Sequence, residues 1–239
     1  MTESSSRFVS SRPADLHAER IGTQFRAVNR RLDSMIAQLL DNCSLRAGDS
    51  CLDYGCAARP YRRMLPSGVR YIGADLAGNP DADVEIGPDG RLPVADGSVD
   101  AVLSTQVLEH VTDPNVYLDE VVRVLRPGGS LVLSTHGIMY YHRDPEDYWR
   151  WTHAGLESLL AGRGLAVRES QAVLGLTGVA LQLLQDSFAW RLPRRLRPAL
   201  FAVVQFAIER TDRRETLETR LANPLVLGVR AESSAPDET

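Results

Sequence analysis

The chain has 239 residues, 44% hydrophobic and 24% charged, which suits one globular domain with an elaboration. A formal net charge of −4 argues against nucleic acid as the main partner, because phosphate binding favours a basic face, and no run of about 18 apolar residues suggests a membrane span. Cys43, Cys51 and Cys56 are odd in number and lack Cys-x-x-Cys spacing, so neither a disulfide framework nor a zinc knuckle is expected; all 27 basic residues are arginine, which excludes a catalytic lysine.

Residues 1–13 are polar and serine-rich and are expected to be disordered. Met1 to Ser11 lacks the apolar run of a secretion signal, so a reducing cytoplasm is the expected location. Residues 14–42 turn helical: Phe25, Val28, Leu32, Met35, Ile36, Leu39 and Leu40 recur at threes and fours in one apolar stripe. That N-terminal helical cap either packs on a sheet or closes as a lid over a ligand.

Ser50 to Tyr54 reads as a buried strand that breaks at Gly55, where the backbone can bend and a ligand can come close. Asp53 sits at its carboxyl end, the edge at which open α/β sheets bind ligands. A second strand, Arg70 to Asp75, ends in another acid, 22 residues after Asp53, near the spacing at which a second-strand carboxylate meets a ribose. A dinucleotide would need Gly-x-Gly-x-x-Gly for its pyrophosphate. Here the second and third glycine positions are Ala57 and Pro60, so a ribose-containing cofactor without that phosphate surface is favoured over NAD.

Leu52-Asp-Tyr-Gly-Cys-Ala57 resembles motif I of the class I S-adenosylmethionine-dependent methyltransferases, usually Leu-Asp-x-Gly-Cys-Gly. Ala57 departs from that pattern and narrows the space beside the methionine part of the cofactor. The block Leu92-Pro-Val-Ala-Asp-Gly-Ser-Val-Asp100 through Leu108-Glu-His110 is similar to the Leu-Pro-Phe-x-Asp-x-Ser-Phe-Asp…Leu-Glu-His signature of small-molecule members. The helix after Asp113-Pro114, the Arg126-Pro-Gly-Gly129 turn and the strand Ser130–Thr135 continue the likeness, which covers about residues 45 to 160. It implies a Rossmann-like, mostly parallel seven-stranded sheet with helices on both faces, and an antiparallel last strand. It also implies S-adenosyl-L-methionine held by Asp53, Tyr54, Gly55, Ala57, Arg59, Asp75, Leu76, Asp89, Gly90, Thr105 and Gln106. In this reading Arg59 either reaches the cofactor carboxylate or is solvated, Asp89 or Gly90 contacts adenine, and Ser104, Thr105 and Gln106 line the methyl end.

The remaining expected strands are residues 83–87, Val99–Ser104, Leu165–Val173 and 224–231. Asp113 with Pro114 starts a helix and Thr152 caps another. A single domain over residues 14–232 is expected, with a helical insertion at 174–223 and a polar tail at 233–239. The insertion is expected to hold helices near Leu176–Trp190 and Pro198–Leu221. The first is apolar nearly all round and must be covered; core packing plus a homodimer contact is the expectation, with an anionic membrane surface, reached by Arg191, Arg194, Arg195 and Arg197, the alternative.

The stretch Thr135 to Thr152 leaves the sheet at its ligand edge with two histidines, several acids and several aromatics, and such loops carry function. Methyl transfer to an alcohol needs the acceptor held close and its proton removed, and histidine suits general-base work at neutral pH. His142 is the first candidate base and His136 the second, with Asp144 to orient a ring or anchor a hydroxyl. The same groups could instead hold a divalent cation such as Mg2+ that lowers the acceptor pKa, with His136, His142 and Asp144 as first ligands and Glu146 and Asp147 beside them. His110, Tyr141, Tyr148, Trp149 and Arg150 are the expected acceptor contacts, although His110 also reads as a helix-start residue that only packs. The aromatic, acidic and arginine content suits a sugar, and the segment resembles bacterial methyltransferases of glycan pathways, with a methylated-mannose polysaccharide precursor one candidate. Phenols or polyketides are the other acceptors. A dehydrogenase and a non-catalytic partner-binding module are the competing functions.

Overall fold

The computed structural model describes residues 22–143 and 146–234. Helix α1 (Arg26–Asp41) is followed by strands β1 (Ser50–Tyr54), β2 (Arg70–Asp75), β3 (Val84–Glu85) and β4 (Val99–Thr105). Then come α2 (Pro114–Val124), β5 (Leu125–His136), α3 (His153–Ala161) and β6 (Leu165–Val173). The chain ends with α4 (Leu176–Ala189), α5 (Arg197–Asp212), α6 (Leu217–Ala222) and β7 (Val226–Ser233). The strands form one sheet in the order β3-β2-β1-β4-β5-β7-β6. All neighbours pair in parallel except β7, which runs antiparallel to β5 and β6. The Rossmann-like sheet with a reversed last strand is the expected architecture.

Strand alternation divides the core. On one face Leu52, Tyr54, Leu131, Leu133, Leu227 and Val229 pack against Leu118 and Val121 of α2 and Leu156 and Leu160 of α3. On the other, Cys51, Leu103 and Val132 meet Val28, Leu32, Met35, Ile36 and Leu39 of α1. Gly228 makes the second contact possible, since a Cβ there would lie 2.5 Å from Met35 Cε. Helix capping follows the sequence: Asp113 accepts from the Asn115 N–H, and Thr152 from the Gly155 N–H.

The first crossover holds no α-helix, only a single 3-10 turn at Arg62–Met64. Pro60 and Pro66 bracket too short a span for more, and α1 covers part of the sheet instead. The third strand shrinks to Val84–Glu85, because Asp83 turns its carboxylate to the Gly73 N–H and to Arg59. The second insertion helix is two helices, broken at 213–216, where Thr216 caps the new one.

Helix α4 is unusual in which side it buries. Gln182 and Gln185 face inward, and both accept from Gln205 Nε2 of α5, at 2.9 and 3.0 Å. Gln205 in turn accepts from the Ala27 N–H at 2.8 Å, so the glutamines tie α4, α5 and α1 through satisfied buried hydrogen bonds. The outer side keeps Leu184, Phe188 and Trp190 exposed, with Val203 and Phe206 of α5. Among the described residues no helix is long and apolar enough to cross a membrane.

Candidate active site

The carboxyl ends of β1, β2, β4 and β5 open into two cavities that share a wall. The first, of about 580 Å³, is lined by Tyr54, Gly55, Ala57, Asp75, Leu76, Ile86, Asp89, Gly90, Gln106, His110, Val116 and Tyr148, among others. The second, of about 450 Å³, is lined by Phe25, Val28, Leu32, Tyr61, Thr105, His136, Met139, Tyr140, His142, Leu225 and Val226, with Asn29 and Arg63 as polar members. Gly55, Ala57 and Gln106 belong to both.

The shared wall is built from left-handed backbone. Gly55 has φ 87°, and a Cβ there would lie 2.4 Å from Val107 Cγ2. Ala57 and Gln106 also adopt positive φ, 45° and 56°. Asp75 holds Ala57 there: its Oδ2 accepts from the Ala57 N–H and from Asn79 Nδ2, both at 2.7 Å. Its Oδ1 accepts from the Leu76 N–H at 2.7 Å and keeps a lone pair for a ligand hydroxyl. Gln106 is held by Ser134, donating to its carbonyl and, through Nε2, to its hydroxyl. Tyr54 stacks on Tyr117 at 4.4 Å and donates its hydroxyl to the Gly90 carbonyl, fixing the loop that carries Asp89 and Gly90.

Beside this wall lies a cluster of histidines. The His136 and His142 rings are 4.8 Å apart, and those of His142 and His110 5.1 Å. Glu109, fully buried, places Oε1 3.5 Å from His136 Nδ1 and accepts from the Thr135 hydroxyl through Oε2. Burial first, then the neighbouring His142 and Arg150, push His136 down to about 3, so its ring is neutral at physiological pH. His142 Nδ1 lies 3.2 Å from Asp147 Oδ2, which also accepts the His142 backbone N–H at 2.9 Å. Burial opposes the charge of Asp147, but the Arg150 guanidinium and that N–H outweigh it and hold the carboxyl at about 2.

Of the expected cofactor residues, Tyr54, Gly55, Ala57, Asp75, Leu76, Asp89, Gly90 and Gln106 line the first cavity, and Thr105 lines the second. Asp53 and Arg59 line neither. Asp53 is buried under the turn and accepts from the Tyr71 hydroxyl at 2.6 Å. Burial lifts it to about 7; Tyr71 lowers it in part, and the charge of Asp75 raises it again. Arg59 turns away to Asp83 and the Asp81 carbonyl.

Of the expected acceptor residues, His110 and Tyr148 face the first cavity rather than the second. Tyr141 and Trp149 line neither and are partly exposed. Arg150 is a brace: it donates to the Met139 and Tyr140 carbonyls at 2.8 Å and clasps Asp147 with both terminal nitrogens at 2.5 Å. Asp144 lies outside the described residues. Asp147 stands at the His142 ring, in the orienting position expected of Asp144. Two contributors carried weaker signals. Glu109 sits inside the Leu-Glu-His block, where nothing in its sequence context marks it as a site residue. The α1 residues Phe25, Val28 and Leu32 show in sequence only a packing stripe or lid, and they both pack and line the second cavity.

Part of the chain is similar to known proteins. Residues 52–133 match the family model described as a methyltransferase domain. A protein of Mycolicibacterium smegmatis described as a "probable S-adenosylmethionine-dependent methyltransferase" is 36% identical over 117 residues, 44% of this chain and 44% of that protein. An uncharacterized 37.1 kDa protein in transposon TN4556 of Streptomyces fradiae is 38% identical over 112 residues, 40% of this chain and 32% of that protein. The chain therefore spans less than half the length of these curated relatives. Among solved structures, geranyl diphosphate C-methyltransferase from Streptomyces coelicolor A3(2) superposes with a TM-score of 0.55 at 17% identity, covering 92% of this chain and 84% of that one. A SAM dependent methyltransferase from Aquifex aeolicus gives 0.52 at 15% identity, covering 84% and 92%. At those identities the likeness speaks for the fold. Residues 52–133 therefore resemble a methyltransferase domain, and they lie on a Rossmann-like sheet.

Proposed function

We propose that the protein is an S-adenosylmethionine-dependent O-methyltransferase whose acceptor is a hydroxyl on a largely apolar ring, of phenolic or polyketide type. The observation that carries this reading is the pair of cavities meeting at Gly55, Ala57 and Gln106, with His136 and His142 on the acceptor side. The first cavity suits the cofactor. Asp75 retains an acceptor site for a ribose hydroxyl, Leu76, Ile86 and Val116 offer apolar faces to adenine, and Gly55 leaves space that a Cβ would fill. Bound there, S-adenosylmethionine supplies a methyl group activated by its sulfonium.

The chain's own residues then have two tasks. The apolar lining of the second cavity excludes water and holds the acceptor ring against the shared wall. His142, beside Asp147, would take the acceptor proton at Nε2 as the acceptor O–H bond breaks, while the methyl passes from sulfur to oxygen and S-adenosylhomocysteine is left. His136 is a weaker base than an exposed histidine, because burial pushes its pKa down to about 3. Metal assistance at the same histidines is the other route to the same ionisation.

A sugar hydroxyl is the second acceptor reading, favoured by Asn29, Arg63, Tyr61 and Tyr140 around the cavity. The polar and aromatic groups that suggested it, Tyr141, Trp149 and Arg150, stand outside that lining. The test is S-adenosylhomocysteine release across phenols, hydroxylated polyketides and sugars. Faster turnover of a phenolic acceptor is expected; a sugar turned over in preference would reverse the ranking, and His142→Ala with unchanged turnover would remove the base.

A further inference from the structure

The cluster of Glu109, His136 and His142 has a geometry that the base reading leaves unexplained. One carboxylate oxygen and two imidazole nitrogens lie within 4.8 Å of one another. They come from three separate elements: the 3-10 turn Leu108–His110, the end of β5, and the loop after it. The Glu109 side chain is 0% exposed, that of His136 11% and that of His142 27%. The Glu109–His136 separation of 3.5 Å is longer than a good hydrogen bond, so this pair is not held as an ordinary carboxylate–imidazole contact.

We propose that Glu109, His136 and His142 form a two-histidine, one-carboxylate site for a divalent transition-metal ion, open toward the acceptor cavity. His136 and His142 both line that cavity, so vacant coordination positions would face the acceptor hydroxyl. The donor set decides the ion class. Two imidazoles with one carboxylate suit Fe2+, Mn2+, Co2+ or Zn2+, whereas Mg2+ prefers an oxygen shell. The supports of a metal site are also present. Glu109 Oε2 is fixed by the Thr135 hydroxyl at 2.9 Å, and Asp147 Oδ2 lies 3.2 Å from His142 Nδ1, on the side from which a carboxylate supports a ligating imidazole. Metal–ligand bonds of about 2.0 to 2.2 Å require the donors to move inward, by roughly an ångström at the widest pair. His142 is the most exposed of the three and sits on a loop, so it is placed to make that movement. The ion's use in activating an acceptor rests on the methyl-transfer reading; its binding does not.

The test titrates chelator-stripped full-length protein with Co2+, read by visible d–d absorption, beside calorimetric titration with S-adenosylhomocysteine. One equivalent of Co2+ is expected, displaced by Zn2+ and not by Mg2+. Glu109→Gln and His142→Ala are expected to weaken Co2+ binding at least tenfold, and His153→Ala, at a separate His–Glu pair, to leave it unchanged. Absence of Co2+ binding to the parent protein overturns the site, as does binding that His142→Ala leaves intact. His142→Ala keeps the test decisive if Glu109→Gln fails to fold, because His142 is on the loop rather than in the core. S-adenosylhomocysteine binding without Co2+ binding removes the metal site alone. Co2+ binding without S-adenosylhomocysteine binding removes the methyltransferase reading and leaves the metal site standing.

Discussion

Replacing Gly55 by alanine attacks the wall common to both cavities. The native φ of 87° is left-handed, which costs an L-residue about 1 to 2 kcal/mol. The new Cβ would also lie 2.4 Å from Val107 Cγ2. Relieving that contact displaces a branched side chain on a tight turn, an overpacking cost of roughly 1 to 3 kcal/mol. Together Gly55→Ala should destabilise the fold by about 2 to 5 kcal/mol, and weaken cofactor binding because the turn shifts in the cavity wall. Urea unfolding of Gly55→Ala, Val107→Ala and the double variant separates the two causes. The cycle should show a favourable coupling of about 1 to 3 kcal/mol, the relieved contact, while the backbone cost stays. A single variant within about 0.5 kcal/mol of the parent, with no coupling in the cycle, would refute the close approach of Gly55 and Val107.

Other substitutions test the remaining parts of the site. Ala57→Gly removes a non-glycine residue at φ 45° and should hold or raise stability by up to about 1 kcal/mol in the same unfolding assay. Arg150→Ala leaves the nearly buried Asp147 without its guanidinium. It should cost about 2 to 4 kcal/mol, speed proteolysis within residues 137–151, and lower turnover more than cofactor affinity. Titration gives two slopes of opposite sign. His136 has a folded pKa below its unfolded value, so its contribution is complete above about 6.5 and is lost as pH falls toward about 3. Asp53, raised to about 7, does the reverse: the unfolded state releases its proton first, so stability falls as pH rises from about 4 to 7. Relative to the parent, His136→Gln should therefore make stability decline more steeply with pH between about 4 and 6.5, and Asp53→Asn should make it rise. Unfolding free energies across that range read both, and equal slopes in all three proteins would contradict these assignments.

The parts of the site written in local sequence were legible, and those made by distant packing were not. Asp75, Gly55 and Gln106 could be found because a strand end, a glycine break and a parallel sheet fix their position together. Arg59 could not, because its direction depends on Asp83 in the loop before β3. Asp53 sits at the right edge, yet its side chain turns under the sheet to Tyr71 rather than into the cavity. The loop after β5 was recognised by its content, but composition does not say which way side chains face. Arg150 reads as a substrate ligand until its four carbonyl and carboxylate partners show it holding the loop instead. The helix-free first crossover has a local signal in Pro60 and Pro66. What covers the sheet in its place, α1, lies before β1 in sequence and meets β7 through Gly228, a contact that only the fold reveals.

The most direct measurement is calorimetric titration of the protein with S-adenosylhomocysteine and, separately, with NAD. A one-to-one isotherm is predicted for S-adenosylhomocysteine, weakened at least tenfold by Val116→Trp, which fills the adenine side of the first cavity, with no comparable binding of NAD. Tighter binding of NAD, or no binding of S-adenosylhomocysteine to the folded parent protein, would contradict the assignment of that cavity to the methyl donor.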